Sequence, residues 1–265
     1  MEVLVYVLAI LIGISLGLIG SGGSILTVPI LVYLLGIDPI LATSYSLFIV
    51  GITALVGGLD KAVNGMVDFK MVAIFGTPSI FMVLVTRSFI VPHIPSIIFH
   101  YEGFVLSKAS LIMILFALIM LVASISMIRN RKEEDLKIDS TFRYKEVFIK
   151  GLFLGLLTGM VGAGGGFLVI PTLVISTNMP MKRAIGTSLF IVAFNSLIGF
   201  LGFLEIDNHA IDWKLLSIFS ITSIFGIFIG SKILKKISGD QLKTGFGYFV
   251  LIIGFYIIFK EVFHI

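Results

Sequence analysis

Gly17-Leu18-Ile19-Gly20-Ser21-Gly22-Gly23-Ser24-Ile25-Leu26-Thr27-Val28-Pro29 returns 142 positions later as Gly159-Met160-Val161-Gly162-Ala163-Gly164-Gly165-Gly166-Phe167-Leu168-Val169-Ile170-Pro171. Glycines 17, 20, 22 and 23 all fall on glycines, and Pro29 falls on Pro171. The same offset carries Ala42 onto Ala184 and Ser46-Leu47-Phe48-Ile49-Val50 onto Ser188-Leu189-Phe190-Ile191-Val192. After a slip of two residues, Asn64 meets Asn208, and Val67-Asp68-Phe69-Lys70 meets Ile211-Asp212-Trp213-Lys214. Chance likeness between apolar stretches puts leucine over leucine. It does not reproduce coincident glycines, prolines and an Asp-aromatic-Lys end, so the chain reads as an internal duplication. The expected division is a first repeat over residues 1–128, a charged linker over 129–150 and a second repeat over 151–265.

The surroundings of the two motifs set the class. Of 265 residues, 58% are hydrophobic and 13% charged, and the mean hydropathy is +1.14. A soluble globule carries about 25% charged residues because its surface must be wetted. No Asp, Glu, Lys or Arg occurs over residues 3–37, 151–181, 184–204 or 215–231. About 18 apolar residues suffice to propose a spanning helix. A soluble enzyme, a nucleic-acid-binding protein and a disordered chain are excluded together, and the expected partner is the lipid bilayer. The start, Met1-Glu2, lacks the basic residues of a cleavable secretory signal, and the apolar run continues past any cleavage site.

Ten apolar segments follow: 3–19, 25–35, 40–58, 69–90 and 108–128, then 147–161, 167–176, 183–203, 213–234 and 242–259. The second of each set is too short to cross about 30 Å of hydrocarbon as a helix rising 1.5 Å per residue. With the segment before it, it forms two half-helices meeting at a glycine-rich break, the interrupted helix of secondary transporters. The expected fold is an all-α, multi-pass plasma-membrane protein whose two inverted repeats bring these breaks to a central site. The linker, rich in Lys and Arg beside a membrane segment, is expected in the cytoplasm. Inversion then places Lys61, Lys70, Lys182, Arg183 and Lys232 inside and Asp38 and Asp212 outside. Arg87 and Lys108 fall outside, against the same tendency.

The breaks carry the chemistry. Backbone N–H and C=O groups freed inside hydrocarbon cost several kcal/mol each, so irregular backbone survives only within protein or a wet cavity. Gly20, Ser21, Gly22, Gly23 and Ser24 form one such stretch, and Gly162, Ala163, Gly164, Gly165 and Gly166 the other. The half-helices that follow would aim unpaired N–H groups and positive dipole ends at the break, which suits an anion. Packing of close helices is the competing explanation of membrane glycines, and it fits the pair Gly226 and Gly230. Ser44 and Ser46 in one repeat and Thr187 and Ser188 in the other would donate to an oxyanion or bond their own helix backbone. Asn195 is either a site residue or an interhelical hydrogen-bonding group. No charged residue reads as lying at mid-membrane, so recognition is expected from amides and helix ends without a buried arginine.

Together with the run Ala184-Ile185-Gly186-Thr187-Ser188-Leu189, the paired glycine motifs resemble those of the TauE/SafE sulfite exporter family. The resemblance covers nearly the whole chain outside the linker. It implies an internally duplicated, all-helical carrier of sulfite, sulfonates and related small anions. By motif position it implies that Gly20, Gly22, Gly23, Gly162, Gly164 and Gly165 frame the pathway, with Thr187 and Ser188 beside it. The first copy departs from the pattern, with Ser24 at the last glycine and Ala42-Thr43-Ser44-Tyr45-Ser46 where Gly-Thr-Ser is expected.

The expected function is secondary transport of small anions by alternating access, and a passive anion channel is the alternative. An enzyme is not expected. There is no cysteine, the histidines His93, His100, His209 and His264 form no metal-binding pair, and no intramembrane carboxylate pair is visible. No metal or other cofactor and no nucleic-acid partner is expected. A coupling proton or sodium ion and a homodimeric assembly are compatible with the sequence, which specifies neither.

Overall fold

The computed structural model describes residues 2–20, 23–101, 104–128, 144–162, 164–177, 179–204, 211–234 and 239–263. Its elements are α1 (Glu2–Ile19), α2 (Gly23–Pro29), α3 (Pro39–Val63), α4 (Phe69–Val85), α5 (Val91–His93), β1 (Ile97–Tyr101) and β2 (Phe104–Ser107). Then come α6 (Lys108–Ile128), α7 (Tyr144–Val161), α8 (Gly166–Thr177), α9 (Met181–Leu204), α10 (Trp213–Ile233) and α11 (Gly239–Phe263). A π-helical turn, Ile30–Leu34, extends α2, and another, Thr86–Ile90, joins α4 to α5.

Five helices among the described residues are long and apolar enough to cross a membrane: Pro39–Val63, Phe69–His93, Lys108–Ile125, Lys182–Leu204 and Trp213–Ile233. Their starts are written locally. Asp38, Asp68 and Asp212 cap α3, α4 and α10, accepting from Ile40 N at 2.8 Å, Met71 N at 3.1 Å and Leu215 N at 2.9 Å. Such a cap satisfies an amide that the helix cannot. The twelve residues of α8 span about 18 Å at the helical rise, too little to cross.

The helices pair across the two halves of the chain. Helix α1 lies along α10 and α4 along α7, while α3 packs on α9 and α6 on α11. Exchanging the halves leaves this pattern unchanged. The close approaches repeat it: a Cβ on Gly13 of α1 would collide with the Ser223 carbonyl of α10, and one on Gly155 of α7 with the Ser79 carbonyl of α4. Gly226 and Gly230 face the backbone of Ile10, Gly13 and Ile14, so packing explains that pair. At the centre, Leu47, Ile49, Val50, Leu189, Val192 and Ala193 of α3 and α9 are fully buried, alongside polar side chains such as Ser46, Thr53, Asn195 and Ser196.

The antiparallel hairpin β1–β2, pairing Ile97 with Ser107 and Tyr101 with Phe104, has no counterpart in the all-helical reading of the sequence. Helix α7 begins at Tyr144, so residues 144–150 of the expected linker are helical. The rest of that linker, 129–143, lies outside the described residues, as do Ser21, Gly22 and Ala163.

Candidate functional site

Two interruptions stand where the glycine motifs fall. Helix α1 ends at Ile19 and α2 begins at Gly23, and α7 ends at Val161 and α8 begins at Gly166. Gly20, Gly162, Gly164 and Gly165 take φ of +73°, +70°, +64° and +66°, the left-handed region that costs other L-residues about 1–2 kcal/mol. Each break meets the opening turn of a central helix from the other half. A Cβ on Gly20 would press on Ile185 of α9, and one on Gly162 on Thr43 of α3. Thr43 and Ile185 are themselves 142 positions apart.

The two breaks differ in what surrounds them. Beside Gly162 stands Arg87, 3% exposed, at the π-helical turn after α4. Its Nη1 donates to Ser44 Oγ at 3.4 Å. Its Nε and Nη2 have no partner among the described residues, and Nη2 lies 2.5 Å from where a Gly162 Cβ would sit. Gly164 faces Ser196 Oγ, Gly165 faces Thr158 Oγ1 and Gly159 faces Thr86. The Oγ1 or Oγ of Thr86, Thr158 and Ser196 is likewise buried and unpartnered. An unmet buried polar group costs about 1–3 kcal/mol, more when charged, so this gathering marks the second break as the candidate site.

The expectation of a site without a buried cation is therefore corrected at Arg87. Its physical reason is packing, since Ser44 of α3, Gly162 after α7 and Gly202 of α9 close on the turn that carries it. Arg87 is thus enclosed by protein, whereas the sequence places it in segment 69–90 toward the outer side of the membrane without indicating burial. A signal was present, since Arg87 is the sole Asp, Glu, Lys or Arg between Lys70 and Glu102. Thr158 and Ser196 had no comparable signal. Lys61 is also buried, at 5% exposure, near the end of α3.

Other expected site residues take ordinary roles. Thr187 Oγ1 accepts from the Asp68 N–H at 2.9 Å and contacts Met179 Sδ at 3.7 Å. Ser188 Oγ donates to the Ile185 carbonyl of its own helix at 2.9 Å. Ser44 Oγ, besides accepting from Arg87, donates to the Ile40 carbonyl at 3.2 Å. Asn195 Nδ2 donates to Ser79 Oγ at 2.7 Å, an interhelical bond, while its Oδ1 is free and buried. Ser46 Oγ is buried without a partner. Gly23 packs on the Ile12 carbonyl and Leu16, and Gly166 opens α8 as a buried residue. Of Ser24 only the backbone, within α2, is described. Arg183, an expected inner anchor, pairs with the Asp68 carboxylate at 3.6 Å.

A family model described as sulfite exporter TauE/SafE matches residues 5–257. The chain belongs to the TauE/SafE sulfite exporter family. Relatives are spread across bacteria and archaea. A probable membrane transporter protein of Xylella fastidiosa (strain Temecula1) is 28% identical over 260 residues, covering 95% of this chain and 92% of its own. One of Methanocaldococcus jannaschii is 24% identical over 256 residues, 89% of each chain. One of Bacillus subtilis (strain 168) is 25% identical over 245 residues, covering 91% and 94%. No solved structure matches. As a TauE/SafE member with five helices long enough to span, the chain is a membrane-embedded protein of a transporter family.

Proposed function

We propose that this TauE/SafE member is a secondary transporter that carries small anions (sulfite, a sulfonate or a related organic anion) across the plasma membrane. Two inverted repeats alternate access to a site at the second glycine break, with the linker 129–150 on the cytoplasmic side. The site takes in Gly162, Gly164, Gly165 and Gly166 with Ser44, Ser46 and Asn195, while Thr187 and Ser188 stand in the opening turns of α9, which meet the first break. The first break, Gly20 to Ser24, is its counterpart across the axis relating the halves.

One observation carries the reading. Thr86, Arg87, Thr158 and Ser196, whose buried polar atoms lack partners among the described residues, gather around the second break. Burying these groups unmet is costly, and a small anion accepting from several donors removes that cost. The pairing of α1 with α10 and α4 with α7 supports duplication with exchange between the halves. It also distinguishes rods from the central α3–α9 pair, the parts that alternating access would move against each other.

Liposomes reconstituted with the purified protein test the proposal. Sulfite and methanesulfonate uptake is followed while a proton or sodium gradient is imposed. Accumulation against the anion's own gradient is expected. Flux that only runs downhill would make the protein a channel, and no flux for any anion offered would end the transport reading.

A further inference from the structure

We infer that Arg87 is the docking group for the anion, and that its free Nε–Nη2 edge selects anions presenting two oxygens on one atom over spherical halides. The inference rests on the transport reading of this site and names its ligand chemistry. A guanidinium offers its donors as rigid forks, and Nε–H with Nη2–H forms one of them, pointing two parallel bonds at a carboxylate-like edge. In this protein the remaining nitrogen, Nη1, is tied to Ser44 Oγ. The two atoms of the fork are the two without a partner among the described residues. The side chain is thus anchored at one end and open at the edge that matches O–S–O or O–C–O. Compact ammonium groups lack that geometry, and Lys and Arg are not interchangeable at such sites.

The surroundings point the same way. Gly162, at φ +70°, leaves beside Nη2 the space that a Cβ would fill. Helix α8 opens four residues on, at Gly166, and its amino end favours negative charge. Among the described residues no carboxylate pairs with Arg87. At the opposite break the buried cation is a lysine, Lys61, whose stem lies against Gly186 in the opening turns of α9. Under the two-residue slip that aligns Asp68 with Asp212, the position matching Arg87 is Ser231, whose amide lies against Gly17. Among the described residues, a buried guanidinium fork is therefore carried at the second break and not repeated at the matching position of the first.

The test is binding to the purified full chain by titration calorimetry, with sulfite, methanesulfonate, acetate and chloride as probes. Wild type is expected to bind the first three more tightly than chloride. Arg87→Gln is expected to weaken oxyanion binding about 10- to 100-fold, the loss of a charge-assisted pair of hydrogen bonds. Arg87→Lys keeps the charge without the fork and is expected to narrow the gap between sulfite and chloride. Ser231→Ala, at the matching position, leaves all affinities unchanged. Melting temperature is read for each variant, and if Arg87→Gln does not fold, Arg87→Lys decides. Wild-type affinity for sulfite in folded Arg87→Lys or Arg87→Gln overturns the inference, as does equal wild-type affinity for chloride and sulfite. Liposome uptake separates the two failures. Uphill transport by wild type, with Arg87 variants binding normally, sinks the docking role alone. Binding lost in Arg87→Gln beside a wild type that moves nothing sinks the transport reading and upholds the docking role.

Discussion

The backbone N–H of Asp68 donates to Thr187 Oγ1 at 2.9 Å. Its counterpart under the duplication is the N–H of Asp212 donating to the Tyr45 hydroxyl at 2.6 Å. Tyr45 and Thr187 are 142 positions apart and Asp68 and Asp212 are 144 apart, so one contact is made twice with different hydroxyls. In each case the residue capping a rod, α4 or α10, is tied to the first turns of a central helix belonging to the other half. Rods and central pair are therefore fastened at both ends of the exchange.

Removing either hydroxyl should loosen the body without touching the site. Thr187→Val and Tyr45→Phe are each expected to cost about 1 kcal/mol, the net worth of one hydrogen bond. The two sites are separate, so the double variant should show the sum. Denaturation in detergent micelles, monitored by near-ultraviolet dichroism, measures this, with anion affinity read in parallel and expected to hold.

Glycines of the two kinds should separate by phenotype. Gly155 sits on the Ser79 carbonyl, so Gly155→Ala is expected to lower stability by about 1–3 kcal/mol through overpacking while leaving sulfite affinity near wild type. Gly164, at φ +64° beside Ser196 Oγ, should respond in binding as well as stability. Ser196→Ala then restores part of the lost affinity in Gly164→Ala by clearing the collision. Equal effects of Gly155→Ala and Gly164→Ala on affinity would remove the distinction.

The buried pair Asn195–Ser79 joins α9 to α4. Ser79→Ala leaves the Asn195 amide without its acceptor and is expected to destabilise by about 1–3 kcal/mol. Asn195→Ala made on top of it should cost less than when made alone. Membrane double-mutant cycles average about 0.6 kcal/mol for such pairs, and thermal denaturation of the four proteins gives the coupling directly.

What was legible depended on how local the cause is. Asp68-Phe69-Lys70 and Asp212-Trp213-Lys214 mark helix starts because a capping carboxylate acts on the next turn, and both aspartates do cap. Membrane class and family were equally readable, the first from charge-free runs and the second from glycine spacing. Arg87 was visible as a lone charge in an apolar stretch, yet its burial depends on α3 and α7 closing around it, which no window along the chain contains. Ile97–Tyr101 and Phe104–Ser107 are rich in residues suited to strands, but apolar runs that short do not distinguish strand from helix by period. Hydroxyls such as Thr158 and Ser196 acquire meaning from the break they face, a relation set wholly by packing.

Inversion of the repeats has a direct test because the chain contains no cysteine. Single cysteines introduced at Ile37, Asn64, Lys182 and Lys214 label without background. If the halves run in opposite senses, a membrane-impermeant maleimide applied to intact cells reaches Ile37→Cys and Lys214→Cys, and it reaches Asn64→Cys and Lys182→Cys only after permeabilisation. Lys70 and Lys214 correspond in the alignment of the repeats, and Asn64 lies at the same end of its helix pair as Lys70. Parallel repeats would therefore put Asn64 and Lys214 on one side of the membrane. Labelling of both from the same face would reject inversion and, with it, the exchange of access between two opposed breaks.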